Sequence, residues 1–167
     1  MVSDTCSMVW GQVGGSLQML TGAVEMCPDT LWDRPAKGMG FWYQVYHVLF
    51  FVDFDLHDAS EEFRSPDFDI HEYELKERHP PFESAYSKHV LLDYAGRCGD
   101  RVREVLLAVR DGGAVRILGT RRLGLPGLEV VFYEMRHVQH HAAQLNLQLR
   151  QEGITPPDWR RRGDEPL

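Results

Sequence analysis

The sequence predicts an all-α protein, a four-helix bundle with a long crossover link between its second and third helices. Three observations carry that prediction. Four segments repeat apolar residues at steps of three and four, and only one short run, Ala114–Leu118, reads as a strand, too little to make a sheet. One connection, residues 58–86, is far longer than the others, as joining two parallel neighbours in such a bundle requires.

The first helix is expected from about Ser7 to Met26, with Val9, Val13, Leu17, Leu20 and Val24 on one stripe and Cys27-Pro28-Asp29 as its stop. Gly11, Gly14, Gly15 and Gly22 each cost about 1 kcal/mol against alanine, so this helix has to be held by tertiary packing. The second, roughly Gly40 to His57, is apolar nearly all round, as a helix buried in a bundle should be. The third runs from about Ser87, a plausible N-cap, to Arg110, with Gly112-Gly113 as its stop; Leu91, Tyr94, Cys98, Val102, Val105 and Val109 form its stripe. The fourth starts near Pro126 and ends before Gly153, with Val131, Met135, Val138, Ala142, Leu145 and Leu149 facing the core. The acidic, proline-containing link at 58–86 has room for a short helix and for covering a site.

Length and charge bound the function. A chain of 167 residues fits one domain, 1–167, with a tail from about residue 153. A formal net charge of −7 and a pI near 5.6 argue against nucleic-acid binding, which leaves a basic footprint. Arg160-Arg161-Arg162 is the one basic cluster and reads as a solvated end. The N-terminal MVSDTCSMVW lacks the basic-then-apolar pattern of a signal peptide, and Phe41–Val52 falls short of the ~20 residues needed to cross a bilayer. Cys6, Cys27 and Cys98, odd in number and without a CxxC, suit reduced thiols; a cytoplasmic location is expected.

The chemistry concentrates in histidines. HVQHH, residues 137–141, puts His137 and His141 one turn apart on the same face of the fourth helix, spacing that lets two imidazoles reach one ion. Eight histidines in 167 residues yield ~0.4 such pairs by chance, so the pair is weak alone. On a helical wheel at about 100° per residue it borders the apolar stripe, whereas His140 points outward. His47, in FWYQVYHVLFFV, sits on the helix expected to be buried and offers a third imidazole. Three neutral imidazoles from two helices leave an open coordination position, as in a ligand-binding or catalytic site. His57, His71, His79 and His89 are weaker candidates, and Glu134-x-x-His137 has no second Glu-x-x-His to make a di-iron site. Tyr43, Gln44 and Glu134, each about a turn from a candidate ligand, are possible supporting groups. No GxSxG, GxxxxGK[ST] or helix-opening GxGxxG occurs.

With these residues assembled, the chain resembles the DinB-like (YfiT-like) metalloenzyme superfamily over nearly its whole length. The resemblance rests on a first helix ending in CPDTLWDRP, the histidine-bearing aromatic helix FWYQVYHVLFF, the third-helix segment SKHVLLDYAGRCGDRVREVL, and HVQHHAAQL in the last helix. The family's three ligand positions fall on His47, His137 and His141. Members commonly read His-x-x-x-His-Arg-Gly-Gln there; this chain has His141-Ala142-Ala143-Gln144, keeping the glutamine and losing the Arg-Gly pair. The resemblance implies an up-down-down-up bundle, a divalent metal (zinc, nickel or similar) and a homodimer. It also implies a low-molecular-weight thiol as co-substrate, since characterised relatives include thiol-using transferases and isomerases.

The expected activity is therefore a metal-dependent thiol S-transferase acting on an electrophilic small molecule, with no nucleic-acid or membrane partner. A metal-dependent hydrolase and a non-catalytic, stress-associated metal-binding bundle are the alternatives. The coordination sphere separates enzyme from structural site: a structural zinc is closed by four protein ligands, a catalytic one keeps a position open.

Overall fold

Apolar residues three and four apart cannot all leave water unless helices pack stripe to stripe, and this chain does so with almost nothing but helix. The computed structural model describes residues 2–34, 40–63, 85–113 and 115–167. These hold α1 (Val2–Met26), α2 (Asp29–Trp32), α3 (Phe41–Leu56), α4 (Lys88–Arg110), α5 (Leu118–Leu123) and α6 (Gly127–Gln151). Among the described residues there is no strand, and no helix is long and apolar enough to cross a membrane. Most of the 58–86 link lies outside the described residues, and with it any short helix inside.

Each long helix forms over its expected span, α1 beginning earlier than expected, at Val2 instead of about Ser7. Ser87 caps α4, its hydroxyl accepting from the Val90 backbone N–H at 3.3 Å, and Gly112 beyond the C-terminus takes a positive φ of 74°. The helix α3 is buried on nearly every side because it packs against both α4 and α6, while α1 packs against the same two helices from elsewhere. Tyr46, Leu49, Phe50, Leu91, Tyr94, Leu106, Leu145 and Leu149 fill the centre and are all but inaccessible. Cys98 Sγ lies 3.3 Å from the Leu49 carbonyl, and the Trp32 indole N–H donates to the Tyr86 carbonyl at 2.8 Å. Free Cys6, Cys27 and Cys98 are all buried.

Two expectations need correction. The run expected at Ala114–Leu118 forms no strand over its described residues, 115–118 (Ala114 lies outside them): Ile117 makes one isolated bridge with Asp58, and the chain turns at Leu118 into α5. A bridge without a second strand cannot propagate, whereas Leu118 N–H can donate to the His57 carbonyl (2.9 Å) and start a helical turn against the end of α3. The tail is not a free end: Arg160, Arg161 and Arg162 are exposed, as expected, but the backbone beside them is docked on α1. Gly163 N–H donates to the Gly11 carbonyl at 2.6 Å, and the Trp10 indole N–H donates to the Glu165 carbonyl at 2.9 Å. A Cβ on Gly163 would lie 2.9 Å from Gly14 Cα, and one on Gly22 would lie 2.9 Å from Pro157 Cβ. The helix-weakening glycines of α1 thus form the surface that lets this strap approach, which is the packing their helix cost demands.

Candidate metal centre

Two helices bring three imidazoles to one point. In α6, His137 and His141 stand a turn apart on the side facing α3, and His47 meets them from α3. The ring centroids form a near-equilateral triangle: 5.2 Å from His47 to His137, 5.1 Å from His47 to His141 and 4.9 Å from His137 to His141. One ligating nitrogen from each lies within 4.8 Å of the others. Nitrogens sharing a tetrahedral ion at ~2.0–2.1 Å stand about 3.3–3.4 Å apart, so small side-chain rotations close the cluster. Among the described residues no cysteine or carboxylate joins these three in the cluster.

The chemistry of the cluster fits an ion. His141 is 7% exposed, and its Nδ1 is buried with no hydrogen-bond partner, a cost that buried polar atoms rarely carry without a ligand to relieve it. Burial first, and then the neighbouring histidines, lower His137 to about 3 and His141 to about 4. Both rings are therefore neutral at pH 7, the form that ligates a metal. Phe51 meets His47 and His137 edge-on at 5.0 and 5.9 Å, so one face of the cluster is dry.

Glu134, one turn before His137 and 2% exposed, stands beside the His137 ring. Its Oε2 lies 3.3 Å from His137 Nδ1, which leaves Nε2 as the nitrogen for the cluster. Burial, then the adjacent Asp55 carboxylate, raise the Glu134 pKa well above the usual range, with the Arg122 guanidinium opposing. Asp55 is fully buried at the end of α3 and takes a fork of two hydrogen bonds from Arg122 of α5, Nε to Oδ1 at 2.6 Å and a second from the terminal nitrogen to Oδ2. His47, Phe51, Arg122, Tyr133, Glu134 and His137 line a cavity of about 220 Å³ that opens beside the cluster.

Of the other histidines, His140 is exposed and outside the three-histidine group, although its ring meets His141 edge-on at 5.2 Å and it accepts from the Gln144 side chain at 2.9 Å. His57 is buried against Phe63, and His89 is exposed beside Asp93; His71 and His79 lie outside the described residues. Tyr43 touches His47 only ring to ring at 6.4 Å, and neither it nor Gln44 lines the cavity. Sequence reading passed over Asp55 and Arg122. A carboxylate inside the apolar run FVDFDL was a signal for the first, since a buried charge needs a partner. Nothing local marks Arg122, whose segment reads as a loop.

No family model, curated protein or solved structure matches the chain.

Proposed function

We propose that the chain is a DinB-like metal-binding four-helix bundle in which His47, His137 and His141 hold a divalent ion, and that it works as a thiol S-transferase on an electrophilic small molecule. The observation that carries this reading is a cluster of three imidazoles beside a cavity, with no carboxylate or cysteine joining them among the described residues. A structural zinc site is closed by four protein ligands; three with an adjoining cavity is the arrangement of a site that takes a ligand.

The bundle half of the reading is supported by the order of pairs across helices. Trp10 and Leu17 of α1 meet Arg103 and Gly99 of α4, so the numbers run in opposite directions. Trp42 with Tyr86 and Leu49 with Cys98 run in the same direction, as a crossover between α3 and α4 requires. His47 faces His141, while a Cβ on Gly119 would touch both Asp55 and Val130, so α3 and α6 run oppositely. These pairs support an up-down-down-up sense.

A divalent ion held here lowers the pKa of a thiol presented to it, supplying a nucleophile at neutral pH. The chain's own residues do the rest. The three imidazoles would hold the ion without adding negative charge, which would leave it strongly acidic toward that thiol. Glu134 holds the His137 ring by its Nδ1–H, Phe51 keeps water from one side, and Tyr133 and Arg122 frame the entrance through which an electrophile reaches the centre.

The reading is tested by metal analysis of protein purified without chelator or nickel resin, together with His47→Ala and His141→Ala. Near-stoichiometric metal in the wild type and its loss in both variants is expected; full retention by both would sink the triad. A screen of electrophiles with several low-molecular-weight thiols on metal-loaded protein then tests the transferase activity, expected to disappear in His141→Ala.

A further inference from the structure

The short helix α5 is tied to the metal centre although it contributes no ligand. Its start is anchored by Leu118 N–H on the His57 carbonyl (2.9 Å) and, just upstream, by Ala59 N–H on the Arg116 carbonyl (2.7 Å). Its second residue is Gly119, where a Cβ would lie 2.6 Å from Val130 Cγ1 and 2.9 Å from the Asp55 carbonyl oxygen. Only glycine lets α5 sit this close to the seam between α3 and α6. The approach delivers Arg122 to Asp55 as a planar fork on a fully buried carboxylate, a pairing whose geometry is fixed in a way that a lysine contact would not be. The same guanidinium lies over the Phe51 ring, 5.5 Å from its centroid, and Phe51 is the ring wedged against His47 and His137.

We propose that Arg122 and Asp55 are positioning residues of the metal centre, fixing Glu134, and through it the His137 ring, from behind while Arg122 steadies Phe51 from the cavity side. The proposal rests on the metal-binding reading above. Asp55 holds Arg122 by the fork, Arg122 and Glu134 line the same cavity beside His137, and Glu134 Oε2 is the partner of His137 Nδ1. Groups behind a ligating histidine commonly change metal affinity 10–100-fold when lost, because they restrict the ring to one tautomer and one angle. Here the restraint comes from three elements: Asp55 from α3, Arg122 from α5 and Glu134 from α6.

The test uses the full chain with Co²⁺ as the probe, reading its affinity by chelator competition and its visible absorption band. Arg122→Met is expected to weaken Co²⁺ binding about tenfold and to shift the band, Arg122→Lys to do so less, and Glu134→Ala to weaken binding about 10–100-fold. Glu134→Gln keeps an oxygen that accepts from Nδ1–H and is expected to restore most of the affinity. The double variant Arg122→Met/Glu134→Ala is expected to lose less than the two single losses combined, since part of the Arg122 effect passes through Glu134. Unchanged affinity and band in Arg122→Met, with only its melting temperature lowered, would make the Arg122–Asp55 pair a structural tie and overturn the proposal. If Arg122→Met does not fold, the same outcome in Arg122→Lys decides. A wild type that binds no Co²⁺, or a His141→Ala that binds as the wild type does, overturns the metal reading itself. Wild-type binding that His141→Ala abolishes and the Arg122 variants leave intact overturns only the positioning role.

Discussion

Two seams of the molecule differ in the atoms they leave unpaired. Where the tail 154–167 lies on α1, backbone and side-chain groups pair across the seam: Gly163 N–H on Gly11, the Trp10 indole on Glu165, the Gln12 amide on the Arg161 carbonyl and the Gln18 amide nitrogen on Asp164, while Gln18 Oε1 is buried without a partner beside a cavity of about 260 Å³. Where α3 meets α6, His141 Nδ1 and Glu134 Oε1 are buried without partners, and a cavity of about 220 Å³ stands beside them. An unpaired buried polar atom costs roughly 1–3 kcal/mol, so both seams carry such a cost, but at the second it falls on an imidazole nitrogen and a carboxylate oxygen, atoms that can ligate an ion. The difference separates scaffold from site more sharply than residue type does, since both seams contain charged and aromatic side chains.

The comparison breaks most decisively at the histidines. His137→Ala is expected to abolish metal binding while leaving the melting temperature of the metal-free protein unchanged or higher, because a buried imidazole without an ion contributes little; calorimetry with and without Zn²⁺ checks both halves. The opposite outcome is expected at the strap. Gly163→Ala meets backbone atoms of Gly14 and Gly15 that cannot yield, and should cost about 1–3 kcal/mol in denaturant unfolding with metal content unchanged. A loss of metal in Gly163→Ala would show that the two seams are coupled.

Smaller effects sharpen the contrast. Cys27, 2% exposed beside Pro28, is pushed up to about 11, by burial first, so its folded state holds the thiol proton more tightly than the unfolded chain. Its contribution to stability is therefore complete below about 9 and lost as pH rises from there toward 11, and at pH 8 the native thiol should resist iodoacetamide. Rapid alkylation of Cys27 in folded protein would contradict this. The smallest effect expected is at His140: replacing it with alanine frees an exposed Gln144 and should leave metal content as it was, measured beside His141→Ala.

Much of this was legible along the chain. The stripes of α1, α4 and α6 marked their buried faces, and Ser87 and Gly112 marked the ends of α4, because helix periodicity and capping are local properties. His137 and His141 were legible as a pair for the same reason, the four-residue spacing being a property of one helix. Their partner His47 was legible only as a polar residue in an apolar run. Asp55 gave the same kind of signal and was passed over, and the glycines of α1 showed as a weakness of the helix and not as a docking surface.

The sequence by itself determined the helices, their buried faces and which imidazoles share a face, since these follow from backbone geometry over a few residues. Only the tertiary structure decided that His47 completes the triangle, that Arg122 reaches Asp55 and that the tail lies on α1. Each of those joins residues from elements far apart in the chain, through approaches that depend on how closely two backbones come together. At Gly119 and Gly163 that approach is set by the absence of a single Cβ, which no periodicity announces.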